Sequence, residues 1–350
     1  MNVHIDGIIF SLQQYGGISV YFRELLSRFN AEHDVTLTLE GPLQQSLEAK
    51  NFPGIRFIDR TSRLFERIRT SRKPGRNHFD VFHSSYYRRP EHHSQPSVVT
   101  VHDFFPHRFP DSPKNRLKSL MINSAIKQAD HIICISETTK EELFTFVPVR
   151  QDQRVSVIYN GVSDIYRPLD SNSKPSLHYK RPFILFVGQR GGYKNFKLAI
   201  QALEHLSGMD LFCVGGGAFG FDELVNVSQN TQSRIHHLGF VEMEQLNILY
   251  NNAHCLLYPS EYEGFGIPVI EAMRAGCPVV SLNCKAVVEV GGAALNISYD
   301  SSDALSLAQV IKDLYDDNLR LRIRKLGFEQ SHQFGWDRCF KETMEIYLGL

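Results

Sequence analysis

The sequence predicts an α/β chain of doubly wound parallel sheets, and it predicts that architecture twice. Three observations carry the expectation. Short apolar runs rich in Val, Ile and Phe end in Gly, Ser, Asp or Asn, as strands buried on both faces do. Longer amphipathic segments lie between them, which is the alternation of βαβ units. The chain has 350 residues, and one core rarely grows much beyond roughly 250–300 residues, so two domains are expected.

The strand candidates of the first half are, in order, "NVHIDGIIF", "DVTLTLE", "GIRFID", "DVFHSS", "PSVVTVHD", "HIICIS" and "RVSVIYNG". Those of the second half are "PFILFVGQ", "MDLFCVGG", "RIHHLGFV", "AHCLLYPS", "CPVVSLN" and "AALNIS". The helix candidates between them carry apolar residues three and four apart. They are "SVYFRELLSRFNAE", "LKSLMINSAIKQAD", "ETTKEELFTFV", "FKLAIQALEHL", "MEQLNILYNNA", "VIEAMRAG" and the long "DALSLAQVIKDLYDDNLRLRIRKLGFEQS". The stretch "IYRPLDSNSKPSLHYKRP", beginning at Ile165, is polar, proline-rich and aperiodic. It divides the expected domains into 1–168 and 169–334.

Composition excludes several classes of function. The formal net charge is zero, so no global field argues for nucleic acid. The N-terminal stretch has Asp6 and no basic region before its short apolar run, unlike a signal peptide. No window approaches a membrane span. The six cysteines form no CxxC pair and several sit inside apolar runs, which suits buried thiols in a reducing compartment; the cytoplasm is expected. No D-x-D at a strand end, no HExxH and no Cys/His cluster suggests a metal. His92-His93 and His236-His237 are sequence neighbours that point apart. Neither a G-x-S-x-G elbow nor a P-loop is present.

In doubly wound sheets ligands bind beyond the carboxyl ends of strands, so the residues after each strand matter most. After the first strand, Gly16-Gly17 open an amphipathic helix and could offer bare amides to a phosphate; a tight strand-to-helix turn explains them equally. After "PFILFVGQ", Arg190 and Lys194 flank Gly191-Gly192 just before a helix. Cations there oppose the helix dipole unless an anion lies between them, and a diphosphate would satisfy both. "VGGGAFG" at 214–220 matches G-x-G-x-x-G. The ribose-binding acid expected about 20 residues later is missing, which favours a plain strand-to-helix turn near a nucleotide. "VVTVHD" ends a strand with His102, suited to holding a hydroxyl or a proton, or to a local backbone contact. Residues 60–76, "RTSRLFERIRTSRKPGR", hold seven basic residues and one acid, Glu66; the segment suits an anionic membrane surface or an ordinary solvated face.

Residues 258–276, "YPSEYEGFGIPVIEAMRAG", set Glu263 and Glu271 on either side of a glycine turn. A helix start favours one acid, by capping and by the dipole. Glu271 fits that use, whereas Glu263 precedes the turn and asks for a ligand.

Taken together, "GGISVYFRELL", "DVFHSSYY", "VVTVHD", "ADHIICISETTKEEL", "VIYNGV", "FVGQRGGYKN" and above all the E-x7-E segment "EGFGIPVIE" resemble the retaining GT-B glycosyltransferases of group 1, family GT4. The resemblance runs nearly end to end. It implies two Rossmann-like domains facing a cleft, acceptor mainly on the first and nucleotide sugar mainly on the second. The tail 335–350 would return to the first domain. It implies that Arg190 and Lys194 hold the donor diphosphate, although Gln189 stands where many relatives carry the arginine. Glu263 would lie near the hydroxyls of the transferred sugar, Glu271 on the ribose, and His102 near the reacting sugar. Gly16, Gly17, Gly188 and the amides of Gly264, Phe265 and Gly266 would line the donor. No cofactor and no metal are implied. The chain looks like the bacterial mannosyl- or rhamnosyltransferases of O-antigen and capsule assembly, which implies a GDP-sugar donor and a saccharide acceptor, lipid-linked, at the inner membrane face. A peripheral place there would use residues 60–76. A sugar-nucleotide epimerase of similar fold and a catalytically idle sugar-nucleotide-binding protein are the alternatives. The E-x7-E loop speaks against the first, and both glutamates together with Lys194 and His102 speak against the second.

Overall fold

The structure, a computed structural model, describes residues 1–13, 16–29, 36–41, 52, 54–59, 66, 69–71, 79–90, 95–170, 181–298 and 303–350. The chain divides into two compact units, Met1–Gly161 with Trp336–Leu350, and Val162–Gly335.

The first unit is built on a parallel sheet of strands β1 (Asn2–Asp6), β2 (Thr36–Gly41), β3 (Ile55–Asp59), β4 (Val81–Ser84), β5 (Ser97–Val101), β6 (His131–Cys134) and β7 (Arg154–Val157). Their order is β3-β2-β1-β4-β5-β6-β7. The second unit carries β8 (Phe183–Val187), β9 (Asp210–Val214), β10 (Ile235–Gly239), β11 (Cys255–Tyr258), β12 (Val279–Leu282) and β13 (Leu295–Ser298), ordered β10-β9-β8-β11-β12-β13. Every apolar run singled out in the sequence contains one of these strands. Central strands such as β4, β5, β6, β11 and β12 are buried at every residue. Side chains on both faces of a doubly covered sheet must be apolar, which is why these runs show no alternation. Each sheet reverses its winding once, between β1 and β4 and between β8 and β11, and such switch points are where open α/β sheets bind ligands.

Helix starts follow local chemistry. Ser112 and Ser136 accept hydrogen bonds from the amides of Asn115 (3.1 Å) and Thr139 (3.0 Å), capping helices Pro113–Gln128 and Glu137–Phe146. The long candidate beginning at Asp303 is two helices, Ala304–Asp313 and Asp317–Ser331. Asp316 breaks it, because its carboxylate caps the amides of Asn318 and Leu319; a period of 3.6 alone hides such an internal cap.

The stretch after Ile165 begins inside the second unit, ahead of the expected division at 168/169. Tyr166 packs on Tyr250 there, and Asn247 and Asn251 accept the amides of Arg167 and Leu169 at 3.1 and 2.8 Å. Helix Trp336–Leu348 belongs to the first unit. It buries Trp336, Phe340 and Tyr347 in the core formed by Tyr21, Phe22 and Phe29, with Phe340 edge-on to Phe29 and Tyr347 hydrogen-bonded to His83. All six cysteines are buried and none forms a disulfide. No described helix is long and apolar enough to cross a membrane.

Candidate active site

The second unit presents its most concentrated chemistry beyond the switch point of its sheet. Strand β8 leads into a short 3-10 turn, Gly192–Lys194, which Asn195 joins to helix Phe196–Glu204 by adopting a left-handed conformation (φ 50°). Neighbouring β11 leads into the loop bearing Glu263. The two loops are tied by the amide of Glu261, which donates to the carbonyl of Tyr193 at 2.9 Å. That tie brings together residues 69 apart in sequence: Lys194 Nζ donates to Glu263 Oε1. The same ammonium donates to Tyr258 Oη at 3.3 Å and lies 5.3 Å and 5.1 Å from the ring centres of Tyr193 and Tyr258, within reach of a cation–π attraction. Both charged side chains are close to nine-tenths buried. A lysine there gains from the carboxylate and the aromatic faces, and it keeps one donor for a further anion.

Tyr258, the last residue of β11, is itself buried. Burial first, then the charge of Glu263 and a hydrogen bond to it, push its phenol well above the ordinary range, so it stays protonated and can donate to the carboxylate. No chemistry was assigned to Tyr258 from the sequence, although "YPSEYEGFG" contains it. A tyrosine ending a buried strand looks like core until its hydroxyl is placed.

Glu271 lies in helix Ile267–Arg274, beyond its first turn, which holds no acid. Helix capping therefore does not account for it, contrary to the sequence expectation. Its carboxylate Oε2 accepts from Tyr250 Oη at 3.0 Å, and Tyr166 donates to it as well. Burial raises its pKa to about 7 despite these two phenols. Gly266 makes the turn between the two glutamates possible: it caps the helix at φ 102°, where a side chain is strained. Phe265 is buried and meets Phe334 edge-on, anchoring the Gly264–Gly266 turn through its ring.

Arg190 departs from the sequence expectation of a cation paired with Lys194 on one anion. Its guanidinium is held elsewhere, by Glu223 (2.8 Å) and by the carbonyls of Gly215 (2.9 Å), Gly217 (2.8 Å) and Ala218 (2.9 Å). It lies over the rings of Phe219 and Phe196. Charge-assisted hydrogen bonds in a buried fork are strong, so this arginine is the clamp of the glycine loop after β9. Gly216 is required there: a Cβ would stand 2.6 Å from Arg190 Nη1 and 3.0 Å from the carbonyl of Gly188. The "VGGGAFG" stretch is thus a strand-to-helix turn folded around Arg190. The arginine reaches toward the loop after β9, while Lys194, four residues on, reaches toward the loop after β11.

In the first unit, His102 ends β5 and is buried. Burial lowers its pKa to about 3, so the ring is neutral. Its Nε2 has no hydrogen-bond partner among the described residues, and the ring packs on Tyr21. Gly16 and Gly17 stand at the start of helix Gly17–Phe29, where the carbonyl of Gly16 accepts from Ser19 Oγ at 2.9 Å. The switch point of this sheet is closed by Arg88, which bridges Asp6 (2.9 Å) and Glu66 (2.7 Å), all three buried. Of the basic segment 60–76, only Glu66 and residues 69–71 are described; Arg60, Arg63, Arg67, Arg72, Lys73 and Arg76 lie outside the described residues.

Comparison with known proteins covers both units. The family model described as "Glycosyl transferases group 1" matches residues 170–330, and that described as "Glycosyltransferase Family 4" matches residues 15–164. The O-antigen chain mannosyltransferase B of Escherichia coli is 29% identical over 282 residues, 76% of this chain and 74% of the relative. The O-antigen chain mannosyltransferase RfbU of Salmonella typhimurium is 31% identical over 200 residues, 54% of each protein. Among solved structures, sucrose-phosphate synthase from Thermosynechococcus elongatus superposes with a TM-score of 0.79 at 17% identity, covering 100% of this chain and 98% of that one. Anabaena Alr3699/HepE in complex with UDP-glucose gives 0.72 at 17% identity, covering all of both chains.

Proposed function

The chain belongs to the group 1 glycosyltransferases of GT-B fold, and from that premise we propose that it transfers mannose, or a related deoxyhexose such as rhamnose, from a GDP-sugar to a saccharide acceptor with retention of configuration. The acceptor is lipid-linked and the product belongs to O-antigen or another surface polysaccharide, made on the cytoplasmic side of the membrane. The names of the enterobacterial mannosyltransferase relatives support the sugar and the pathway.

The observation that carries the proposal is the group formed by Lys194, Glu263 and Tyr258 beyond the second sheet's switch point. In this reading the second unit holds the donor and the first holds the acceptor. Lys194 turns its remaining donor to the leaving diphosphate and stabilises charge as it develops in a largely dry site. Glu263 accepts from the hydroxyls of the transferred sugar. In this front-face reading it orients the sugar and stabilises charge rather than acting as the carboxylate nucleophile of retaining hydrolysis. Glu271 receives the ribose hydroxyls, and Gly188 with the amides of Gly264, Phe265 and Gly266 lines the donor. His102, neutral and with a free ring nitrogen, pairs with a sugar hydroxyl. The acceptor oxygen bonds to the anomeric carbon on the face from which the diphosphate departs, and its proton passes to the leaving phosphate oxygen. No metal is invoked. Arg190 enters only as the clamp of the glycine loop.

Lys194→Ala tests the assignment. Transfer, or slow hydrolysis of GDP-mannose to GDP, should drop roughly a hundred- to thousandfold with the fold intact. Near-normal turnover by the purified variant refutes it. A thermal-shift panel of GDP-, UDP- and ADP-sugars reports the base, because only a bound ligand raises the midpoint.

A further inference from the structure

Among the described residues, two that are not glycine hold a left-handed backbone. Asn195 directly follows Lys194, and asparagine tolerates that conformation. Tyr87 is the other, at φ 56°. For a bulky aromatic residue this is an outlier, and it persists only where the surroundings over-determine it. On one side of Tyr87 stands Arg88, buried and with every guanidinium nitrogen engaged. Its Nε donates to the carbonyl of Arg69 (3.1 Å), Nη1 to Asp6 Oδ1 (2.9 Å), and Nη2 to Glu66 Oε1 (2.7 Å) and the carbonyl of Thr70 (3.0 Å). The amide of Arg88 donates to Ser84 Oγ, at the end of β4, at 2.8 Å. The chain is thus pinned at Ser84 and at Arg88. Between them the ring of Tyr87 enters the core formed by Val99, Val101 and Phe104.

That ring ends in a hydroxyl 3.3 Å from the backbone amide of His102, which donates to it. Burial, and then the charge of Asp103, push the phenol well above its ordinary range, so it stays a neutral acceptor. His102 is held at its backbone by Tyr87. Its ring lies edge-on to Tyr21, 5.3 Å between centres, and its Nε2 has no partner among the described residues. Packing alone does not call for a strained backbone, whereas a group that must be aimed does. We propose that Tyr87 is a positioning residue: footed on Arg88 and its two carboxylates, it fixes the end of β5 so that Nε2 of His102 keeps one direction. The proposal rests on the reading of His102 as the partner of a sugar hydroxyl, and it adds the residues that aim it. A misplacement of about 1 Å at such a group can cost on the order of a hundredfold in rate.

Tyr87→Phe keeps the ring and removes the hydroxyl. Measured on transfer or on slow hydrolysis of GDP-mannose, it should lower kcat about tenfold and leave the donor KM within about twofold. His102→Ala should lower kcat roughly a hundredfold. Adding Tyr87→Phe to it should cost nothing more, because a residue that acts only through His102 then has nothing left to position. The ring spectrum of protein labelled at histidine gives a readout independent of turnover. The signal missing from His102→Ala should shift or split in Tyr87→Phe, while the other histidine signals stay in place. Losses that multiply in the double variant overturn the proposal and leave the transferase reading standing. So does wild-type kcat in Tyr87→Phe with only a lowered unfolding midpoint, or an unmoved His102 signal. Full turnover by His102→Ala overturns both the proposal and the role given to His102. If the wild type itself hydrolyses no sugar nucleotide, the transferase reading falls, and the ring signal still decides whether Tyr87 holds His102.

Discussion

Glu271→Gln should make the protein more stable at alkaline pH and a poorer binder of its donor. Burial holds the carboxyl of Glu271 at about 7 against an ordinary 4.5. Between those values the folded chain keeps a proton that the unfolded chain releases. The sign follows from linkage: the contribution of Glu271 is fully present below about 4.5, falls as pH rises, and is lost above about 7. The whole gap corresponds to about 3 kcal/mol, and the part lying between about pH 5 and about pH 8 is roughly 2–3 kcal/mol. Glutamine has no proton to lose. It exchanges one acceptor for an amide that needs its own partner, at a cost of about 1 kcal/mol that does not vary with pH. The variant should therefore be about equal to wild type or slightly weaker near pH 5, and stronger near pH 8. Urea unfolding followed by circular dichroism at both pH values reads this directly. If the carboxylate also binds the ribose diol, the same substitution should raise the donor KM by about tenfold or more, and wild-type affinity should itself weaken as pH falls below about 7. The reasoning fails if the stability difference between variant and wild type is the same at both pH values, for then Glu271 ionises freely in the folded protein.

Tyr258→Phe removes a hydroxyl that touches both Lys194 and Glu263 while leaving the buried ring. We expect kcat to fall about tenfold with KM little changed; a lowered unfolding midpoint with normal kcat would make Tyr258 a packing residue only. Arg190→Ala should destabilise the second unit by about 3 kcal/mol or more, since it leaves Glu223 and three loop carbonyls without their partner. The folded fraction, assayed well below its midpoint, should retain turnover within a few-fold of wild type. A collapse of turnover with unchanged stability would instead place Arg190 on the diphosphate.

Both sheets were legible in the sequence because each central strand is a short apolar run that must be buried on both faces. "FILFV" and "CLLY" have little else to become once glycine and serine bound them. Short helices were less visible. Lys285–Gly291, Phe221–Leu224 and Gln229–Gln232 are too brief to show a period. Leu117 and Leu120, exposed on helix Pro113–Gln128, were hidden for the opposite reason. Apolar residues on two faces of one helix blur the amphipathic signal, so "LKSLMINSAIKQAD" reads as helix without saying that it has a second apolar side.

The site itself was legible to the extent that its residues lie at strand ends, and illegible wherever a side chain's direction decided its role. Lys194 and Glu263 meet because β8 and β11 are neighbours across a reversal of winding, and strand order cannot be read from spacing. Arg190 and Lys194 share a loop, yet their partners belong to β9 on one side and β11 on the other. Which of two adjacent cations turns toward the ligand is settled by what waits on each side. For Arg190 that is a ring of carbonyls, Glu223 and two phenylalanine faces, a cage already neutral and complete. For Lys194 it is one carboxylate and two tyrosine faces, a setting with capacity left for an anion. A planar guanidinium with five fixed donors suits the first, and a compact ammonium on a flexible stem suits the second. Exchanging the two residue types would disable both positions, and that asymmetry makes Lys194, rather than the better phosphate-matching arginine, the residue on which the chemistry of this loop depends.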